Sequence, residues 1–251
     1  MGNDTPGADV SPSVGAALAP TAASSLSGRR FFCSWSGGKD AYLALQRATL
    51  QGGQAAALLC MLHEDGRASR GHGLPLPLLE EQAAALGLPL VTRATTWDGY
   101  EAVFVEALHE LQRGGVQAGV FGDIDLQAHR DWVQGVCDAA GLSCHLPLWQ
   151  EPRRRLLGEF LAGGSRATIV AVDSSKLGAE FLGLELDDAV IARLEAAGAD
   201  ASGEEGEYHT MVTWASLFSA PVPLTWDGVE ERDGHFVLRH VAKPRREHHR
   251  S

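Results

Sequence analysis

The chain has 251 residues, 45% of them hydrophobic, and a formal net charge of −11. That is enough apolar material for one large domain or a domain with an appendage. The acidic balance excludes a global field that would draw nucleic acid or an anionic membrane to the protein, and no apolar run approaches the ~20 residues that span a bilayer.

Residues 1–28 are rich in Gly, Ala, Ser and Pro and hold no aromatic residue, so they predict a disordered tail that cannot bury enough surface to offset its ordering entropy. From residue 30 the pattern alternates. "RFFCSW" (30–35) predicts a buried strand, and the helix after it, near 40–51, carries Leu43, Arg47 and Leu50 at helical spacing. "AAALLCML" (55–62) predicts a second strand, "LPLLEEQAAALG" (76–87) a helix with Leu79, Ala83 and Leu86 on one face, and "LPLVTR" (88–93) a third strand. Next comes a strong helix aligning Val103, Phe104, Ala107, Leu108 and Leu111, closed by glycines. "AGVFGDI" (118–124) predicts a fourth strand, and the helix that follows is expected to bury Trp132, Val133, Val136 and Cys137.

Strands alternating with helices of this length predict an α/β fold with a parallel sheet covered on both faces. Ligands of such sheets bind beyond the carboxyl ends of the strands. Two loops fall there, "SGGKD" (36–40) and "GDID" (122–125). Past "HLPLWQEP" (145–152) the regularity breaks. A helix, the strand "ATIVAV" (167–172), a long loop, another helix and two further strand-like segments predict a smaller α+β unit. The expected divisions are a tail over 1–28, an α/β domain over 29–146, a smaller subdomain over 147–241 and a flexible basic tail over 242–251.

The loop "SGGKD" carries the chemistry. The start of a helix after a strand exposes unpaired N–H groups and the positive end of the dipole, which favour an anion. Gly37 and Gly38 permit close approach to the main chain, Ser34 and Ser36 offer hydroxyls, Lys39 a point charge, and Asp40 complements the dipole or helps hold Mg²⁺. A Walker A loop would need Gly at 33 and a hydroxyl at 40; the chain has Cys33 and Asp40. Taken alone, the five residues also suit an ordinary turn with a solvated lysine. The second dense stretch, "GEEGEYHTMV" (203–212), crowds Glu204, Glu205, Glu207, Tyr208, His209 and Thr210 between and after Gly203 and Gly206. Such groups are costly together unless they meet a ligand, although a solvated acidic hairpin is the plainer alternative. His72, in "RGHG", reads equally as a nucleotide contact or a solvated loop residue, and Trp149 as packing at the junction in preference to a stacking platform.

"SGGKD" resembles the PP-loop, SGGxDS, of the ATP pyrophosphatases of the HUP superfamily, with Ala41 replacing the usual serine. Together with "GDI" (122–124), "PLW" (147–149), "FLG" (181–183) and "GEEGEYHT" (203–210), it resembles the diphthine–ammonia ligase type of that group over about residues 30–220. The resemblance implies a Rossmann-like HUP domain for ATP and a smaller substrate domain. It also implies a ligase reaction in which a carboxylate is adenylated, pyrophosphate leaves and ammonia displaces AMP. On that reading Ser34, Ser36, Gly37, Gly38, Lys39, Asp40, His72 and Asp123 bind ATP, and residues 203, 204 and 206–210 bind the acceptor. Lys39, Asp40, Glu204, Glu207 and His209 carry catalysis, one of the last three taking a proton from the ammonia. Asp40 and Asp123 would hold Mg²⁺, with Asp123 read alternatively as a ribose contact or a helix cap. The acceptor acid can differ from diphthine if the source is bacterial, and a homodimer stays open. Two other classes stay open as well, a tRNA-modifying PP-loop enzyme and a non-catalytic module that binds ATP or AMP. The short basic clusters at Arg153–Arg155 and 244–250 argue against an RNA partner.

The four cysteines form no CxxC pair, three of them sit in apolar runs that predict buried thiols, and a reducing cytoplasm is expected. "SGRRFF" (27–32) has the twin arginine of an export signal, but the polar "CSWSGGKD" after it does not suit one, so export is not expected.

Overall fold

The computed structural model describes residues 25–241. Most of the tail expected over 1–28, and the basic tail over 242–251, lie outside the described residues. Leu26, at the end of the first of these, is buried, and the N–H of Gly28 bonds to Gly52 O.

The first unit is a five-stranded parallel sheet in the order β3-β2-β1-β4-β5, built from β1 (Arg30–Ser34), β2 (Gln54–Leu62), β3 (Leu90–Ala94), β4 (Ala118–Val120) and β5 (Ser143–His145). Four helices connect them: α1 (Lys39–Leu50), α2 (Leu76–Leu86), α3 (Tyr100–Arg113) and α4 (Gln127–Ala139). Both faces are covered, which is why the strands read as continuous apolar runs. Neighbouring Phe31 and Phe32, each fully buried, serve opposite faces. Phe31 packs with residues of α1 and α2, and Phe32 with residues of α3 and α4. Strand order reverses between β1 and β4, so the loops after them open a crevice, the standard ligand position of an open α/β sheet.

The second unit begins at α5 (Arg153–Ala162) and forms a four-stranded antiparallel sheet, β7-β6-β9-β8, from β6 (Arg166–Asp173), β7 (Tyr208–Trp214), β8 (Trp226–Arg232) and β9 (His235–His240), with α6 (Asp188–Ala196) between β6 and β7. The α1 side of the core continues into it. Tyr42 of α1 meets Phe160 of α5 edge-on at 6.2 Å and Phe218 at 5.9 Å. Arg47 of α1 is half-buried for the same reason: its guanidinium pairs with Glu159 and donates to Pro147 O at 2.9 Å, tying α1 to the segment that enters α5.

Two side chains depart from the periodicity. Leu50 is 80% exposed, because it stands in the last turn of α1, where the helix has passed the sheet. Trp132 is only half-buried, and its indole N–H donates to Glu101 at 2.9 Å near the surface between α3 and α4.

The two units are joined at the loop after β1. The N–H of Val212 in β7 bonds to Gly37 O at 2.9 Å, and the side-chain amide of Gln82, fully buried on α2, donates to both Gly37 O (2.9 Å) and Val212 O (2.8 Å). The Gln82 carbonyl accepts the indole N–H of Trp35 at 3.0 Å. One glutamine therefore satisfies three buried backbone and side-chain groups. A Gln82→Leu variant keeps the volume and removes all three bonds, leaving Gly37 O with Val212 N–H alone. Its urea unfolding should show a loss of about 3 kcal/mol, and an unchanged midpoint would refute the bridging role.

Candidate active site

A cleft of about 390 Å³ opens at the reversal point, lined by the loops after β1 and β4, His72, and the 202–210 segment entering β7. Its size lies in the range of small-molecule sites. The amino end of α1 forms its base. Lys39 is only 6% exposed; its ammonium sits 2.7 Å from Asp40 Oδ2, 3.9 Å from Glu204 Oε1 and 5.7 Å from the centre of the Tyr208 ring. Burial alone would lower its pKa, but Asp40, Tyr208 and Glu204 outweigh that and leave it raised, so the charge is secure at any physiological pH. Burial, and next the charge of Asp40, push Glu204 up to about 7, against Lys39 and Arg153, which pull it down.

Two imidazoles line the same cleft. The ring of His72 stacks on that of His209 with centroids 4.5 Å apart, and His72 Nδ1 lies 3.2 Å from Thr210 O. Because only a protonated Nδ1 can donate to that carbonyl, Nε2 is the unprotonated nitrogen of neutral His72. Burial depresses His72 to about 4, and burial with the neighbouring imidazoles depresses His209 to about 2. Both rings are neutral at working pH, so His209 holds a proton poorly and is ill suited to the base role expected of it. His72 is a wall of the site and not a solvated loop residue.

The structure redistributes other expected roles. Gly37 and Gly38 are buried and are absent from the cleft lining. A Cβ on Gly37, whose φ is +83°, would lie 2.5 Å from Leu74 Cδ1, and one on Gly38 would lie 2.4 Å from His72 Cε1. Their bareness lets α2 and His72 close against the loop, leaving Ser34, Ser36, Lys39 and Asp40 to face the cavity. Two N–H groups are already partnered, Gly38 with Ser36 Oγ at 3.3 Å and Lys39 with Thr210 Oγ1 at 3.2 Å. Thr210 thus caps the helix from the other unit. Ala41 packs under Gly122, whose Cβ would come 2.9 Å from the Ala41 nitrogen, so the loop after β4 presses directly onto α1.

Glu207 does not face the cleft. It is buried, its two oxygens accept the N–H groups of Asp200 and Glu205 at 3.0 Å each, and it shapes the loop. Tyr208 donates its hydroxyl to Ala201 O at 2.6 Å, and its ring supports both Gly203 and Lys39. Gly203 and Gly206, with φ of +69° and +80°, turn the chain so that Glu204 points inward while Glu205 stays exposed. Asp123 lines the cleft and lies 3.1 Å from His129 Nδ1; it does not cap α4, whose cap position is Leu126. Trp149 lies away from the cleft under Arg130, 5.0 Å from its ring centre.

Among the described residues no group of three or more His, Cys, Asp or Glu is disposed to hold a metal ion. Mg²⁺ with a nucleotide needs less, one or two carboxylates plus phosphate oxygens. Asp40 and Asp123 suit that: both line the cleft, and burial raises the pKa of Asp123, a cost that a cation would relieve.

Comparison with known proteins decides the family. The sequence model of the diphthamide synthase N-terminal domain matches residues 29–144, and that of the diphthamide synthase C-terminal domain matches residues 153–237. The chain belongs to the diphthamide synthase family. A diphthine–ammonia ligase of Schizosaccharomyces pombe is 26% identical over 215 residues, covering 76% of this chain and 35% of that protein. A diphthine–ammonia ligase of Mus musculus is 26% identical over 219 residues, covering 74% of this chain and 79% of that protein. The chain therefore spans about a third of the yeast relative and most of the mouse one. A solved structure described as a predicted subunit of tRNA methyltransferase from Methanocaldococcus jannaschii aligns with 74% of this chain and 98% of its own, at 15% identity and a TM-score of 0.41, too low to support any argument.

The histidine pair has a measurable consequence. In the unfolded chain both titrate near the ordinary ~6.5, but in the fold they do so near 4 and 2. Between those values the unfolded state binds more protons, so stability is lost as pH falls below about 6.5. A His72→Gln, His209→Gln variant should show a smaller loss of urea stability between pH 7 and pH 4.5 than the parent. An equal loss would place the acid sensitivity elsewhere.

Proposed function

We propose that this member of the diphthamide synthase family is an ATP-dependent amide ligase that adenylates a carboxylate and passes the acyl group to ammonia. The observation that carries the reading is the pairing of a buried, permanently charged Lys39 with a Glu204 whose pKa lies near 7, in one cleft at the reversal point of the sheet. Its relatives named diphthine–ammonia ligase support the same reaction class.

In the first step an oxygen of the acceptor carboxylate attacks the α-phosphorus, the bond to the bridging oxygen breaks, and pyrophosphate departs with the electron pair. Lys39 stands where that charge is collected, and its contact with Asp40 fixes the ammonium so that little reorganisation accompanies the reaction. Ser34 and Ser36 offer hydroxyl donors to the same oxygens. Mg²⁺, held by Asp40 and Asp123, would supply further charge neutralisation on the phosphates. In the second step ammonia adds to the acyl carbon, AMP leaves, and one proton leaves the nitrogen. Glu204 is the group suited to take it, being half ionised near neutrality. His72 and His209, stacked and neutral, wall the cleft without adding a charge that would repel ammonium or compete with Lys39. The acceptor is a carboxylic acid bound by the 203–210 segment; diphthine is the acceptor that the relatives' names suggest.

Incubation with ATP, Mg²⁺, ammonia and candidate acids should release AMP and pyrophosphate in equal amounts, read by phosphorus NMR. ADP with inorganic phosphate would end the reading. The turnover number should rise with pH through a limb near 7 that is absent from Glu204→Gln, whose rate should be lower by about 10²–10⁴-fold. A Glu204→Gln enzyme with the parental rate and pH profile would remove that residue from the proton transfer.

A further inference from the structure

The first turn of α5 reads "RRR", Arg153–Arg155, at the end of a helix where the dipole disfavours cations. Each arginine is met by acids: Arg154 by Glu195 at 3.1 Å, Arg155 by Glu151 at 3.0 Å, and Arg153 by two carboxylates from different units. Its guanidinium grips Asp125, in the loop after β4, through Nε (2.7 Å) and Nη2 (2.9 Å), and reaches Asp200, in the loop before β7, through Nη1 at 3.3 Å. A planar fork is the group that can serve two carboxylates at once.

Asp200 does more than receive that charge. Its Oδ2 accepts the N–H groups of Ser202 (3.2 Å) and Glu204 (3.1 Å), and the Ser202 hydroxyl donates back to Arg153 O at 3.2 Å. The segment from 200 to 204 is therefore hung on Arg153 at Asp200 and Ser202, and Glu204, the residue that meets Lys39, is joined to it through Asp200 as the last member of the chain of contacts. Lys176, donating to Glu205 O at 2.8 Å, holds the outer side of the same loop. We infer that Arg153 is the positioning residue of this site: by joining Asp125 to Asp200 it holds the 200–204 loop against the phosphate-side loops and sets Glu204 opposite Lys39. The inference rests on the proposed ligase reading for its catalytic consequence, but the holding of the loop stands independently of it.

The two halves are tested separately on the intact protein. A Glu-specific protease should nick Arg153→Ala at 204–207 at least several-fold faster than the parent, with Arg153→Lys between them and Asp125→Asn also accelerated. A loop cut no faster in either Arg153→Ala or Asp125→Asn overturns the proposal. In turnover with the acceptor acid, Arg153→Ala should lower kcat about 10- to 100-fold, as a misplaced catalytic group does, with KM for ATP little changed and Arg153→Lys partly restored. Combined with Glu204→Gln, the Arg153→Ala change should cost almost nothing more, because it acts through the group already removed. Independent, multiplying losses overturn the positioning role. Release of ADP and inorganic phosphate, in place of AMP and pyrophosphate, by the parent enzyme is the separate signature of a failure in the ligase reading.

Discussion

The site depends on one piece of docking: β7 lies against the loop that follows β1. Four hydrogen bonds make that contact: Val212 N–H and Gln82 to Gly37 O, Gln82 to Val212 O, and the N–H of Lys39 to Thr210 Oγ1. Buried backbone groups left unpaired are costly, so the loop and the strand hold each other in a single arrangement. Gly37 and Gly38 make the approach possible, since a methyl on either would collide with Leu74 or His72. The consequence is a cleft whose floor comes from the parallel sheet and whose ceiling comes from the antiparallel one.

Taking Lys39 out of water strengthens every charge around it. Burial alone would lower the pKa of its ammonium, and Asp40, Tyr208 and Glu204 outweigh the desolvation. The same burial has the opposite effect on the imidazoles, which stay neutral, and on Glu204, which stays partly protonated. One low-dielectric pocket thus keeps a fixed cation, a titrating acid and two uncharged rings side by side. A reaction that first expels a polyanion and then removes one proton from nitrogen uses each of those states.

Local periodicity made the parallel sheet and its helices legible, because each strand and helix there carries its own apolar pattern. The position of the loop after β1 was legible for the same reason, as two glycines and a lysine between a strand and a helix. What the glycines contact was not, since their neighbours, Leu74, Gln82, His72 and Thr210, are remote in the chain and arrive only through folding. Gln82 left a trace, as the polar residue three and four positions after Leu79 and Leu78 on the buried side of α2, where a glutamine needs partners. Glu207 illustrates the reverse problem. Its composition and spacing match those of Glu204, and only the turn at Gly203 and Gly206 decides which carboxylate faces the cleft and which accepts amides. Arg153 was visible as part of a basic run, while its two acids lie 28 and 47 positions away in the chain.

Native-state hydrogen exchange of the amides that cross between the units is the most direct test of the docked arrangement. Val212 N–H, bonded to Gly37 O, and Lys39 N–H, bonded to Thr210 Oγ1, should exchange only as slowly as the central-strand amides of β1, through global unfolding. Exchange of either amide orders of magnitude faster than those of β1, in the absence of any ligand, would mean that the antiparallel unit lifts from the loop and that the cleft is not a fixed feature of the fold.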